Sequence, residues 1–196
     1  MLDVVRLTRA LRPEGINWPF ASDGSPSNQL TLLTSVNNLD HANAHDALSD
    51  VHATIALASL IKAKQPKLFD FMLTMRNKKK ISELVLADKP FVYASGKYSS
   101  LYEKTTIVSM VAKHPSTDAA LVYDLRIDPE QFSSMTAAEL SQAWQRRDSS
   151  EGPVLPVKTL KFNRCPAIAP LSVIDKKSQD RLKINLDVID KNYHKL

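Results

Sequence analysis

The sequence predicts an α+β protein: helices at both ends of the chain and a mainly β stretch between them. Apolar residues recur at helical spacing through the first 76 residues and again after Ser178, whereas four β-branched or aromatic runs fall between residues 90 and 162. At 196 residues and 43% apolar content the chain can bury one good core or two small ones. No apolar run approaches the ~20 residues that cross a bilayer. The opening MLDVVRLTRALR has an early acid and amphipathic spacing where a signal peptide would carry an apolar block. The single cysteine, Cys165, excludes a disulfide scaffold and a multi-cysteine zinc site. It fits a reducing compartment, the cytoplasm, and reads as a small buried apolar residue.

Each element has a local reason. Leu2, Val5, Leu7, Ala10 and Leu11 repeat at helical spacing and stop at the Arg12-Pro13-Glu14-Gly15 turn. Ser27 is placed to cap a second helix carrying Leu30, Leu33 and Val36. The polar stretch Asn37 to Asp46 leads into a long helix, Ala47 to Lys64, whose wide apolar face holds Leu48, Val51, Ile55, Leu57, Ala58 and Ile61. Gln65-Pro66 ends it, because proline disfavours helical geometry in the residue before it, and a domain boundary is expected there. Lys67 to Arg76 reads as a further helix. Strands are expected at Pro90 to Ala94, Thr105 to Ala112, Ala119 to Leu125 and Val157 to Phe162, bounded by Ser-Gly, His-Pro and Asp-Pro breaks. Thr136-Ala-Ala-Glu139 is a capping box that opens a helix among them, and Ser178 to Leu196 returns to helix.

Charge is uneven along the chain. Residues 1–65 carry five Lys and Arg against six Asp and Glu, and the remainder carries 21 against 15. A surplus confined to the second part suits a polyanionic partner better than a metabolite. Arg6, Lys89 and the run Arg76-Asn77-Lys78-Lys79-Lys80 are the candidates for contact with a nucleic-acid backbone, and Tyr93, Tyr98 and Tyr102 could stack bases or fill a barrel. The four glycines, Gly15, Gly24, Gly96 and Gly152, form no phosphate-cradling loop, and no G-x-S-x-G occurs.

The stretch NAHDALSD, residues 43–50, admits three readings. Asp46 can cap the long helix by accepting amides of its first turn. That leaves Asp50 as a carboxylate at the edge of an apolar face, where a charge needs a partner. His41, His45 and Asp50 could ligate a metal, although four-residue spacing works for two histidines only on a helix. Alternatively His45 is a general base and Asp50 a carboxylate holding a divalent cation.

The third reading coincides with a resemblance. NAHDALSDVHATIALASLI resembles the H-x4-D motif of the histidine-type DEDD exonucleases, and its surroundings resemble bacterial exodeoxyribonuclease I in particular. LRPEGINWP at 11–19, QPKLFDFMLTMRNKKKI at 65–81, YASG at 93–96, KHP at 113–115 and PVKTLKFNRCPAIAP at 156–170 are similar to blocks of that family in the same order. The resemblance implies Mg2+-dependent removal of nucleotides from the 3′ end of single-stranded DNA, with four carboxylates holding two ions. His45 would be the catalytic base and Asp50 the last metal-binding aspartate. It also implies a fold: the C-terminal helices of an RNase H-like exonuclease domain over residues 1–65, an SH3-like mainly β domain with helical insertions over 66–185, and the start of a helical linker at 186–196.

The family's Asp-x-Glu and middle aspartate have no counterpart here, so the chain is expected to be a piece of the enzyme and inactive alone. The apolar face of the 47–64 helix would then be exposed, mispacked or shielded by self-association. Family members also bind the acidic C-terminal tail of single-strand-binding protein, a contact that falls on Arg12 and Phe71. Pro170 and Asp175 stand where the family carries polar and basic residues. The rival expectation, from another class, is a non-catalytic SH3-like module that holds single-stranded DNA or a protein tail. No membrane partner is expected.

Overall fold

The computed structural model describes residues 1–41, 46–146, 149–150 and 152–196. Five helices come first: α1 Leu2–Leu11, α2 Leu30–Val36, α3 Ala47–Lys64, α4 Pro66–Thr74 and α5 Lys78–Val85. The strands β1 Phe91–Ala94, β2 Thr105–Lys113, β3 Ala119–Asp124, β4 Val157–Lys161 and β5 Ala167–Pro170 follow, with α6 Ala137–Gln145 inserted before β4. Helices α7 Lys176–Leu182 and α8 Leu186–Tyr193 complete the described chain. No helix among the described residues is long and apolar enough to cross a membrane.

The strands form one antiparallel sheet in the order β4-β3-β2-β1-β5, with a bulge in β2 between Met110 and Ala112. Alternation along the strands gives the sheet two apolar faces. Phe91, Val108, Val122, Leu160 and Ile168 pack with Ile81 and Val85 of α5. Val92, Ile107, Tyr123 and Ala169 lie on the other face with Leu7, Ala10 and Leu11 of α1 and with Leu182, Ile184 and Ile189. The first helix is thus part of the sheet's core. A smaller cluster, Val5, Ile16, Leu33, Leu57 and Ile61, is built within the first 65 residues.

Several expectations change in detail. Ser27 does not cap α2; Gln29 stands at that position without a side-chain cap, and the Ser27 carbonyl accepts from Arg9 Nη1 at 2.6 Å. The final helix is two helices, because Lys183 turns left-handed at φ 52° between them. The segment from 186 onward lies against the β body: Asn192 Nδ2 donates to Leu125 O at 2.9 Å, and the Tyr193 hydroxyl to Asp88 O at 2.7 Å. Cys165 is exposed, not buried, and occupies the left-handed region at φ 45°. The Thr136–Glu139 capping box forms as read.

Helix α3 is apolar on more than one side. Leu57 and Ile61 are 2% and 0% exposed and pack inward, a burial of roughly 1.5–3 kcal/mol each. Leu48, Val51 and Ile55, spaced one and two turns apart, are 63%, 53% and 57% exposed. The broad face read from the sequence is therefore split, its C-terminal half covered and its N-terminal half open.

Arg9 of α1 is 2% exposed. Its Nε lies 2.8 Å from Glu103 Oε2, Nη1 donates to Pro19 O and Ser27 O, and the guanidinium sits 5.0 Å from the Phe20 ring and 5.6 Å from that of Trp18. A buried charge needs such a set of partners. Here it fastens the helix to the β1–β2 connection.

Candidate nucleic-acid interface

At the start of α3, Asp46 Oδ2 accepts from the Ser49 amide at 3.0 Å, which is the cap the sequence suggested. Asp50 Oδ1 is 2.7 Å from Nε2 of His41, whose side chain is 5% exposed. The other ring nitrogen of His41 is 3.3 Å from Thr34 Oγ1. Asp50 thus has a partner at the edge of the apolar face, as the cost of a charge there requires. His45 lies outside the described residues. Among the described residues no three His, Cys, Asp or Glu side chains gather where they could hold a metal ion.

A second feature is a groove of about 650 Å³ beside the sheet, lined by Tyr93, Lys97, His114, Lys161 and Arg164 among others. Asp3 is the one acid in that lining and is engaged by Arg6 of its own helix. Tyr93 meets Tyr98 edge to face, with centroids 5.5 Å apart, and Lys158 Nζ lies 3.9 Å from the Tyr98 centroid while donating to Lys97 O. Burial raises both tyrosine hydroxyls above their ordinary pKa and lowers the Lys158 ammonium, which nearby Asp124 offsets in part. In the groove lining Tyr93 is accompanied by the cations Lys97, Lys161 and Arg164. Such a surface can stack bases and neutralise phosphates.

The predicted cations fall around this groove and away from it. Arg6 packs its guanidinium against Gly96, where an added Cβ would lie 3.0 Å from Nη2, so Gly96 gives the room for that approach beside Lys97. Lys78 forms an ion pair with Asp118, next to Thr117 of the groove wall. Lys79 is exposed at the start of α5, whose cap is Asn77. Arg76 and Lys80 line a separate shallow pocket with Leu73, Thr74 and Asn77. Lys89 is exposed in the turn before β1 and outside the groove lining. Tyr102 lies under Arg126, 4.0 Å from ring centroid to guanidinium carbon, which fixes it in the fold. Sequence reading missed Lys97, His114, Lys161 and Arg164. Lys161 and Arg164 lie three residues apart, but Lys97 and His114 come from two other stretches, and only the fold brings the four to one groove.

A third feature joins the two residues singled out for a protein tail. Arg12 and Phe71 line one pocket of about 530 Å³ with Leu11, Leu68, Ala169 and Val173. Arg12 donates from Nη1 to Leu11 O at 2.6 Å and from Nη2 to Val173 O at 3.1 Å. Its Nη1 also lies 3.6 Å from Asp175 Oδ2.

A five-stranded antiparallel sheet with helices packed on both faces and a cationic groove beside Tyr93 is the arrangement the comparisons address. Residues 76–196 match the model of the Exonuclease I SH3-like domain, and the chain belongs to that family. Exodeoxyribonuclease I of Escherichia coli strain K12 is 40% identical in an alignment of 190 residues that covers 94% of this chain and 40% of the relative. The chain therefore spans about two-fifths of the length of the curated relatives it matches. Escherichia coli Exonuclease I in complex with a dA16 oligonucleotide superposes with a TM-score of 0.95 at 39% identity, over 100% of this chain and 43% of that one. An ExoI/SSB-Ct complex gives 0.92 at 37% identity, over 98% and 42%. A zinc-bound form of the Escherichia coli ExoI–single-stranded DNA complex gives 0.93 at 38%, over 100% and 42%.

Proposed function

We propose that this chain is the part of a cytoplasmic, Mg2+-dependent 3′–5′ exodeoxyribonuclease that holds single-stranded DNA, and that its groove beside the sheet is the DNA track. The observation that carries this is the groove itself: Lys97, Lys161 and Arg164 around half-buried Tyr93, with Arg6 near one side and Lys78 near another. The whole-enzyme activity is read from the family and from relatives solved with oligonucleotides. In the complete enzyme His45 would act as base and Asp50 as a metal ligand. The described residues do not by themselves fit a two-ion centre, since Asp50 already meets His41 and no further acid joins it there.

The test is a titration of labelled oligothymidylate by fluorescence anisotropy across a salt series. Affinity should fall with salt at a log–log slope of roughly −0.7 per phosphate contact, because each neutralised phosphate releases condensed counterion. Replacing Lys97, Lys161 and Arg164 by alanine should flatten the slope by about 2, and Lys78, Lys79 and Lys80 by less, since only Lys78 adjoins the groove wall. Salt-independent binding, or none by a folded sample, would reject the groove as a DNA track.

A second reading concerns the Arg12–Phe71 pocket, and one observation favours it: two cations, Arg12 and Lys67, share a cleft with the Phe71 ring and the apolar Leu11, Leu68, Ala169 and Val173. We assign it to the C-terminal tail of single-strand-binding protein, consistent with the solved ExoI/SSB-Ct relative. An apolar last side chain would enter the cleft and its carboxylate would meet Arg12.

A further inference from the structure

The connection from β1 to β2 begins with a turn, Ser95-Gly96-Lys97-Tyr98, closed by the Tyr98 amide donating to Ser95 O at 3.1 Å. Lys97 O, within that turn, accepts from Lys158 Nζ of β4 at 2.8 Å. The same ammonium lies 3.9 Å from the centroid of the Tyr98 ring, and that ring meets Tyr93 edge to face. Lys158 thus touches one groove residue, Lys97, through its carbonyl and reaches another, Tyr93, through Tyr98, yet it is outside the groove lining. Its strand neighbours Thr159 and Lys161 are in that lining. Side chains alternate along a strand, so Lys158 shares its face with Leu160, which belongs to the core cluster of Tyr98, Phe91 and Ile168. A half-buried ammonium is an expensive occupant of such a place. Burial lowers its pKa, and Lys97 and Lys104 add to the fall while Asp124 opposes it. An apolar chain of similar length would suit the cluster, but it could neither bond the Lys97 carbonyl nor hold the ring by charge.

We propose that Lys158 is a positioning residue of the DNA track: from behind the groove wall it fixes the Lys97 turn and, through Tyr98, the Tyr93 ring in the arrangement that receives a strand. The inference rests on the reading of the groove as a DNA track. Its physical basis is preorganisation: side chains already held where the ligand needs them lose little freedom on binding. The guanidinium of Arg6 closes on Gly96 of the same turn, so cations from α1 and from β4 converge on these four residues. Lys158 raises affinity without meeting a phosphate, and its loss is felt only through the groups it holds.

The experiment uses the full 196-residue chain and the salt series with labelled oligothymidylate. Lys158→Met should weaken binding about fivefold to tenfold, the range for side chains that must be immobilised anew, and leave the log–log salt slope unchanged. A slope flattened by about 0.7 would make Lys158 a phosphate contact and overturn the positioning role. Lys158→Arg restores a cation over the ring and a donor for Lys97 O, and should bind like wild type. Lys158→Gln keeps a donor without the charge and should fall between the two, so a loss of fold in one variant does not decide the outcome. In a background of Tyr93→Leu with Lys97→Ala, Lys158→Met should cost less than about twofold more, because the groups it positions are gone. An equal loss in that background and in wild type would show a general structural role and overturn the proposal, as would wild-type affinity for Lys158→Met. Absence of salt-dependent binding by the folded wild type, or unchanged binding on replacing Lys97, Lys161 and Arg164 by alanine, would overturn the DNA-track reading, and this inference with it.

Discussion

Cys165 illustrates what a single residue's identity leaves out. As the lone cysteine of the chain it reads as a small core residue, yet it is exposed and takes φ 45° and ψ 57°, because the chain must reverse from the turn Phe162–Arg164 into β5. A side chain in the left-handed region costs roughly 1–2 kcal/mol relative to glycine. Cys165→Gly should therefore raise stability to urea by up to about 1 kcal/mol, net of the chain entropy glycine adds. Cys165→Val should lower it by a similar amount, since branching at Cβ worsens the strain. Equal midpoints for the two variants would mean that this turn is unstrained. Arg9 was illegible for a related reason. It occupies an ordinary helix position in sequence, and its anion, Glu103, is far along the chain.

At the scale of elements, the Arg9–Glu103 pair decides how firmly α1 holds the sheet. Removing one partner of a buried ion pair strands the other, so Arg9→Met should cost about 3–5 kcal/mol in urea unfolding, and Arg9→Met with Glu103→Leu should recover most of it. Full additivity of the two losses would exclude a coupled pair. Burial raises the Glu103 carboxyl above its ordinary 4.5, with Arg9 opposing the shift. The folded state thus holds that proton more tightly than the unfolded chain. Stability from Glu103 is fullest below pH 4.5 and is lost as pH rises through the higher folded value. Relative to Glu103→Gln, the wild type should lose ground over that window; a flat difference would place the carboxylate outside a desolvated site. Four strands were legible from their β-branched runs. Strand β5, Ala-Ile-Ala-Pro, was not, being short, small and closed by a proline that suits an edge. Helix α5 hid behind three lysines that look like surface, although Ile81 and Val85, one turn apart, complete the core.

For the whole molecule, the prediction is one of separated roles: binding without cutting. Purified chain with magnesium should leave labelled single-stranded DNA at background hydrolysis, because the described residues gather no metal-holding cluster. Digestion from the 3′ end that His45→Ala abolishes would show a complete catalytic centre. The cap of α3 was legible because Asp46 and the Ser49 amide it accepts from are neighbours in sequence. The groove was not, because Tyr93, Lys97, His114, Lys161 and Arg164 come from separate strands and connections. The same topology bears on how the protein folds. Strand β5 pairs with β1, and Arg181 of α7 donates to Ala10 O at the end of α1 at 2.7 Å, across 171 residues. Leu7, Ala10 and Leu11 therefore share one core with Ala169 and Leu182, residues far along the chain. Contacts of such sequence separation raise the contact order and make refolding slow, because the loop between them must close before either side is buried.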